Sequence, residues 1–540
     1  MSRLPTKTTD VAPEAPRKRS PSTGRSAFFV AVGILCSRLT GLVRQRVIAH
    51  YFGLEMEADA WSAAFRIPNF LQNLFGDQAL SGSFIPVYAR LLARGERREA
   101  DRVAGAVASL LALVVSVIVL IGVSATPLFI DAIAPGFSGA KRELTIAVVR
   151  VLFPGAGLLV LSAWCLGVLN SHHRFLLSYS SAVMWNVGMI GALVLFGGSV
   201  PLPRLAVILA WGSVVGSAMQ FGVQLPFVLK MAPDLRFALD LASTEVRTVV
   251  RNFLPVFVSR GVVQASAYID QLLGSLLPTG AVAGMTNALL LATLPVSLFG
   301  MAVSAAELPA MSGVAVDATG TDALRRRLDA GLRQIAFFVV PSAIAFLALG
   351  DVIAAAVLQT GRFRHADAVY VWEILAGSAI GLLASTLGRL YSSTYYALRD
   401  TRTPLKYAIV RVVLTTVLGY FCAIPLPRAL GISPLWGAAG LTASASVAGW
   451  VEMVLLRRTM NARIGRTGLP VIFTAKLWTA AALGASAAWA IKRALPAMHP
   501  ALTAVFVLGP YGLVFFGAAA ALRVPEVSAA LARFGRLARR

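Results

Sequence analysis

Long apolar runs, separated by short polar stretches, recur along the whole chain. They begin near Ala27, Asp59, Val103, Ile146, Leu177, Leu205, Phe253, Ala281, Ile335, Ala368, Leu405, Leu435, Val471 and Ala501. Each run approaches the ~20 residues that a helix needs to cross a bilayer. In lipid a helix satisfies its own backbone hydrogen bonds, whereas an open strand cannot. The pattern therefore predicts an all-α, polytopic membrane bundle of about fourteen transmembrane helices. The longest interior polar stretches, 234–252 and 312–333, read as short amphipathic helices on the cytoplasmic surface.

Composition agrees with the pattern. Of 540 residues, 57% are hydrophobic and only 14% charged, against about 25% charged in an ordinary soluble domain. Mean hydropathy is +0.73. There is no room for a large soluble domain. The formal net charge of +24 would suit a nucleic-acid binder if it formed one patch, but the Lys and Arg fall between apolar runs. With both termini cytoplasmic, the inner segments hold about 33 of these residues and the outer loops about 8, the positive-inside pattern. Nucleic acid is thus excluded as the expected partner, and the expected location is a membrane with both termini on its cytoplasmic side. Residues 1–25 form a polar tail with Arg17, Lys18 and Arg19 and no apolar signal-peptide core.

Weak internal symmetry divides the chain. Ser37-Arg38 in the first span matches Ser259-Arg260 in the seventh. Pro68, Leu74-Phe75-Gly76 and Pro86 match Pro295, Leu298-Phe299-Gly300 and Pro309. Such repeats usually flank a transporter's binding site. The expected organisation is a tail (1–25), a six-helix lobe (26–232), an amphipathic linker (233–252), a second six-helix lobe (253–457), two appended spans (458–522) and a basic tail (523–540).

Candidate chemistry lies in the polar residues inside the spans. A buried Arg costs at least about 2.5–3.5 kcal/mol at the centre of a helix in lipid, so such residues normally face hydrated, protein-lined space. The first span carries Arg38, Arg44 and Arg46. Arg38 lies about 16 Å into it, too deep to snorkel easily. Thr40 and Gly41 would let a neighbouring helix approach closely. In the second span Pro68 predicts a kink, with Arg66, Asn69 and Asp77 beside it. Arg260 and Arg389 sit inside the seventh and tenth spans. Inward-facing guanidinium groups would suit a diphosphate, because each offers a permanently charged fork of donors. Acids available to pair with them instead are few, chiefly Asp59, Asp77, Asp270, Glu307 and Glu373.

Soluble-enzyme motifs are absent. There is no Gly-Lys-Ser/Thr phosphate loop, no His-Glu-x-x-His and no CxxC. His172-His173 reads as a solvated turn, and Cys36, Cys165 and Cys422 as packing residues. No cofactor is expected. Driving energy would come from an ion gradient, the membrane potential or consumption of the product.

The stretch with Ser37-Arg38, Arg44, Phe52-Gly53, Asp59-Ala60, Ile67-Pro68-Asn69 and Phe84-Ile85-Pro86 resembles the opening of the MurJ/MviN lipid II flippases. Further matches are Ala134-Pro135-Gly136-Phe137, Gln224-Leu225-Pro226 and Tyr395-Tyr396-Ala397-Leu398-Arg399-Asp400-Thr401-Arg402-Thr403-Pro404. The resemblance covers nearly the whole chain up to the last two spans. It implies two lobes of the MATE-like superfamily and export of an undecaprenyl-diphosphate-linked cell-wall precursor by alternating access, with membrane lipids and cell-wall synthesis enzymes as partners. By motif, Arg38, Arg44, Asp59, Arg66 and Arg389 fall on functionally important family positions, and Pro295 on a kink. The chain departs from the family at Gln45, where an acid is usual, at Gln72, usually Arg, and at Leu289-Leu290, usually Asp/Arg. Compensation by Arg46 and Arg260 is the expectation. The alternatives are another carrier of the superfamily, or a transport-inactive homologue that scaffolds cell-wall enzymes.

Overall fold

A computed structural model describes residues 22–240, 242–301, 303, 304, 307, 311 and 320–527. Among them there is no β-strand, only an isolated bridge between Thr360 and Phe363. The first half contains α1 (Ser22–Phe52), α2 (Met56–Ala64), α3 (Arg66–Phe75), α4 (Asp77–Ser83), α5 (Ile85–Ala93), α6 (Arg97–Ser124), α7 (Thr126–Ile133), α8 (Gly139–Ser171), α9 (Phe175–Ser180), α10 (Ala182–Phe196) and α11 (Leu202–Met231). A long α12 (Thr244–Ser275) then leads to α13 (Ala281–Pro295), which runs on into a π-helical turn, Val296–Met301. After it come α14 (Gly320–Leu358), α15 (His365–Ile380), α16 (Leu382–Ala397), α17 (Arg402–Ala423), α18 (Pro425–Ala429), α19 (Trp436–Ile464), α20 (Val471–Ala494) and α21 (Pro500–Ala521).

Among the described residues ten helices are long and apolar enough to cross a membrane, and α15 with α16, bent by 44° at their break, make an eleventh candidate. Length and composition of the described helices therefore confirm the polytopic bundle but not the predicted count of fourteen. The three remaining predicted spans fall on α1, on α2 to α4, and on α12. The second is split into helices of nine, ten and seven residues. Its breaks are not where the sequence placed them. Pro68 lies in the first turn of α3, where the missing N–H has no intrahelical partner to lose. The chain breaks before it, at Phe65, and after it, at Gly76. A Cβ on Gly76 would lie 2.1 Å from the Gln72 carbonyl oxygen, so this bend needs glycine.

Two further expectations are corrected. Residues 235–240 carry no helix, and α12 starts only at Thr244. Asp240 accepts hydrogen bonds from the backbone N–H groups of Ala242 and Ser243, an Asx-type turn that competes with helix. Ser243 then caps α12 by accepting from the Val246 N–H. There is thus no separate linker helix. Likewise, from Gly320 onward the 312–333 stretch is the start of α14, a 39-residue element with non-helical angles at Leu349. The tail residues 1–21 and 528–540 lie outside the described residues.

Buried apolar side chains gather into two large clusters. One is drawn almost wholly from Ile48 to Val249, the other almost wholly from Leu273 to Val527. The last two helices, α20 and α21, pack on α14, where Tyr511 donates a 2.5 Å hydrogen bond to the Pro341 carbonyl and Lys492 pairs with Asp351. Among the described residues α1, α2 and α12 each touch both halves, α2 by packing on α8 and on α13. α1 packs on α9 and α10 and reaches α14 at its C-terminal end. α12 packs on α4 at one end, while near its other end Leu273 faces Gly419 of α17.

Candidate functional site

Apart from α12 and from one contact between Arg38 and Ser297, the contacts between the halves gather at one end of the bundle among the described residues. Asp59 on α2 is the centre of this seal and is fully buried. Its carboxylate pairs with Lys141 at 2.5 Å and accepts from the backbone N–H groups of Gly280 and Ala283, each at 2.8 Å. Gly280 and Ala283 form the N-terminus of α13, where unpaired N–H groups and the helix dipole favour an anion. Around it, Arg362 pairs with Glu55 at 3.3 Å and donates its backbone N–H to the His50 carbonyl. The His50 ring lies 2.9 Å from the Thr360 hydroxyl. Arg46 donates to the carbonyls of Ala356 and Val357 at the end of α14. The structure thus places Arg46 on a helix C-terminus, where a cation complements unpaired carbonyls, and not among the interior arginines.

Away from the seal, α1 presents Arg44 and Arg38. Arg44 donates to Asn186 Oδ1 at 2.9 Å, and its guanidinium lies over the rings of Phe65 and Trp185 at 5.0 and 5.7 Å. Its Nε has no partner. Arg38 is exposed and, among the described residues, its hydrogen-bond partner is Ser297 Oγ, at 3.5 Å, on the π-helical turn. Neither arginine joins an ion pair among the described residues. Gly41 has nothing within 4 Å of a built Cβ, so no helix approaches it closely. That expectation fails because α1 turns this face to open space. Thr40 is used instead as an acceptor for Asn186 Nδ2 at 3.1 Å, which steadies the amide that holds Arg44.

A second set of charges crosses from one half to the other. Arg66 on α3 and Asp270 on α12 attract each other, and Asp270 also feels Arg411 on α17. Arg411 pairs with Glu452 on α19 at 3.1 Å, and Arg389 on α16 stands close enough to be repelled by Arg411 and, less strongly, attracted by Glu452. The outward stripe of α17 is apolar, with Leu405, Ile409, Val413 and Val417 exposed at four-residue spacing. At 100° per residue Arg411 projects to the opposite side of the helix. Its side chain is nevertheless 40% exposed there. A half-exposed guanidinium on the inner face of a lipid-facing helix marks hydrated space inside the bundle.

Sequence reasoning missed Arg411, Glu452, Asn186 and Lys141. The signal for Arg411 was present, a lone Arg in the apolar run after Leu405. The side chains of Arg260 and Asp77 lie outside the described residues. Asn69 is half-buried in α3, and Pro295 ends α13 where the helix widens into the π turn. Of the departures from the family pattern, Gln45 donates to Asn287 Oδ1 at 2.7 Å, Gln72 lines a cavity beside Arg38, and Leu289 is exposed. Among the described residues no group of three His, Cys, Asp or Glu side chains could hold a metal.

The family described as "Lipid II flippase MurJ" matches residues 48–519. A lipid II flippase MurJ from Burkholderia cenocepacia is 31% identical over 438 residues, 80% of this chain and 82% of the relative. A solved lipid II flippase MurJ in an inward closed conformation shares the fold with a TM-score of 0.74 at 20% identity, over 91% of this chain and 98% of that one. An inward-facing multidrug-resistance MATE transporter of the MOP superfamily superposes with a TM-score of 0.63 at 17% identity, over 81% and 98% of the two chains.

Proposed function

The chain belongs to the lipid II flippase MurJ family, and from that premise we propose that it carries lipid II, an undecaprenyl-diphosphate-linked precursor, from the inner to the outer leaflet of the cytoplasmic membrane by alternating access. It is a transporter, not an enzyme. The observation that carries the reading is the pair Arg38 and Arg44 on α1, two cations in the first apolar run with no acid paired to either among the described residues. Their charge is available to an anion.

Asp59 and Arg46 join the halves at the sealed end, and on this reading the space between the halves opens at the other end. With both termini cytoplasmic, that opening faces the cytoplasm, where lipid II is made. Arg38, Arg66 and Arg389 then receive the diphosphate by bidentate, charge-assisted bonds. Arg44 holds its place in the aromatic cage and adds a fixed positive potential. Parting of the seal and closing of the other end would present the headgroup outside, to cell-wall synthesis enzymes that consume it. No nucleotide-hydrolysing module is legible, so the membrane potential or an ion gradient supplies the drive.

The test is complementation of a flippase-depleted strain, read together with lipid II accessibility at the outer leaflet. The wild-type chain restores both. Arg38→Ala and Arg44→Ala lower flipping at least about tenfold, the scale of one lost charge-assisted hydrogen bond, without lowering the amount of folded protein in the membrane. Full flipping by the double variant would sink the reading.

A further inference from the structure

Arg38 also lines a cavity of about 330 Å³ in the first half, at the small end of the range for ligand pockets, about 300–1,000 Å³. The cavity lies between α1, α3, α8, α9 and α11. α1 and α9 meet at Gly33, where a Cβ would lie 2.7 Å from the Tyr179 Cβ. That close approach brings Ser178 beside Arg38.

The polar wall is built by a directed relay. Ser181 Oγ donates to the Ser178 carbonyl, which can only accept. Ser181 therefore receives its second bond from Gln224 Nε2, at 2.6 Å. Gln224 thus turns its Oε1 to Ser162, whose hydroxyl donates to it at 2.7 Å. With its proton committed, Ser162 accepts from Gln220 Nε2 at 2.9 Å. The orientation fixed at one backbone carbonyl passes through four side chains and leaves Gln220 Oε1 as the free terminus, and that atom has no partner. Ser178 Oγ has none either. Both residues are more than nine-tenths buried, at 6% and 1% exposure, and both line the cavity. A buried unmade hydrogen bond costs about 1–3 kcal/mol, so these groups are set for a partner.

The rest of the wall is uncharged apart from Arg38. Gln72 stands on one side, and Leu159 and Leu166 give an apolar surface. We propose that this cavity is a sugar subsite. It takes the glycosyl unit joined directly to the diphosphate that Arg38 binds, with ligand hydroxyl or amide N–H groups donating to Gln220 Oε1 and a ligand group pairing with Ser178 Oγ. The volume suits one or two sugar rings and excludes the attached peptide. This inference rests on the flippase reading and deepens it, because it assigns selection for a glycosylated headgroup to the first half.

The purified full chain in nanodiscs would be titrated with three lipids: undecaprenyl diphosphate, the same lipid bearing the disaccharide alone, and lipid II with its peptide. Gln220→Leu and the milder Ser178→Ala should each weaken binding of both sugar-bearing lipids about three- to tenfold, the range for one neutral hydrogen bond, and leave the sugarless lipid unchanged. Arg38→Ala should weaken all three. If both variants melt at the wild-type temperature and bind every lipid as wild type does, the cavity holds only water and the proposal is overturned. A loss confined to the peptide-bearing lipid would overturn the sugar assignment in favour of the peptide. If the wild-type chain binds none of the three, the flippase reading itself fails.

Discussion

Arg44 shows how a charge is kept in an apolar span without an acid. Two aromatic faces and one amide oxygen hold the guanidinium, and such cation–π contacts contribute about 0.5–2 kcal/mol each when desolvated. Outside the membrane, Asp400 illustrates the opposite arrangement. It accepts from the Thr403 N–H at 3.0 Å and the Thr403 hydroxyl at 2.7 Å, and pairs with Arg463 at 2.7 Å. These donors, the backbone N–H first, hold its carboxyl down at about 2, against an ordinary value of 3.8. A depressed carboxylate stabilises the fold above its unfolded value and loses that contribution as pH falls through its folded value. The turn before α17 should therefore hold from neutrality to about pH 4 and loosen between there and about pH 2. Hydrogen exchange at the Arg402 and Thr403 amides would report this, and Asp400→Asn should remove the pH dependence. At this scale the sequence made Arg38 and Arg44 legible, because depth in an apolar run is itself the signal. Arg411 left a signal, a lone Arg in an apolar run, but an ambiguous one. It stands only six residues past Leu405, where a snorkelling cation at a helix end looks the same. Gln220 was invisible for another reason: an amide in an apolar run has no charge to explain, and its partner Ser162 is 58 positions away.

At the scale of the element, α1 behaves as a strut between the halves. Its middle leans on α10 through Arg44 and Asn186, and its far end grips α14 through Arg46. Arg46→Met keeps the length of the side chain and removes both bonds to the carbonyls. The expected outcome is severalfold faster labelling of a cysteine at Thr360 by an impermeant maleimide, because a hydrogen bond from a charged group contributes about 1.5–3 kcal/mol. An unchanged labelling rate would show that the strut does not depend on Arg46. The apolar runs gave α6, α8, α11 and the long helices of the second half directly, since length and hydropathy specify them. They did not give the breaks in the second span, which depend on the geometry at Phe65 and Gly76 more than on Pro68. Nor did they give the start of α12, set by the Asp240 turn and the Ser243 cap.

For the whole molecule, the arrangement is two apolar cores joined by α12 and, at one end, by a seal whose polar contacts surround a small apolar cluster of Ala63, Ala134, Phe137 and Val282. Polar joints between apolar bodies can part without exposing large greasy surfaces, which suits a carrier that must open and close. The proximity of His50 and Thr360 allows a direct test. A His50→Cys/Thr360→Cys pair should form a disulfide under mild oxidation and stop flipping, and reduction should restore it. Flipping that persists in the cross-linked protein would show that the seal never opens. The internal symmetry seen in the sequence pointed to a two-lobed carrier, yet it could not show which contacts join the halves, with Asp59 at the centre of the seal and Glu55, His50 and Arg46 around it.

Asp59 binds an ammonium group and two backbone N–H donors with one carboxylate. When the halves separate, the N–H donors on α13 leave as a rigid pair, since both belong to the same helix terminus. No intermediate posture keeps half of that grip. The exit is therefore a discrete jump over an activation barrier and not a gradual breathing. A fluorophore pair across this end, followed one molecule at a time, should report two levels with exponential waiting times, and weakening the clasp should shorten the wait without creating a third level.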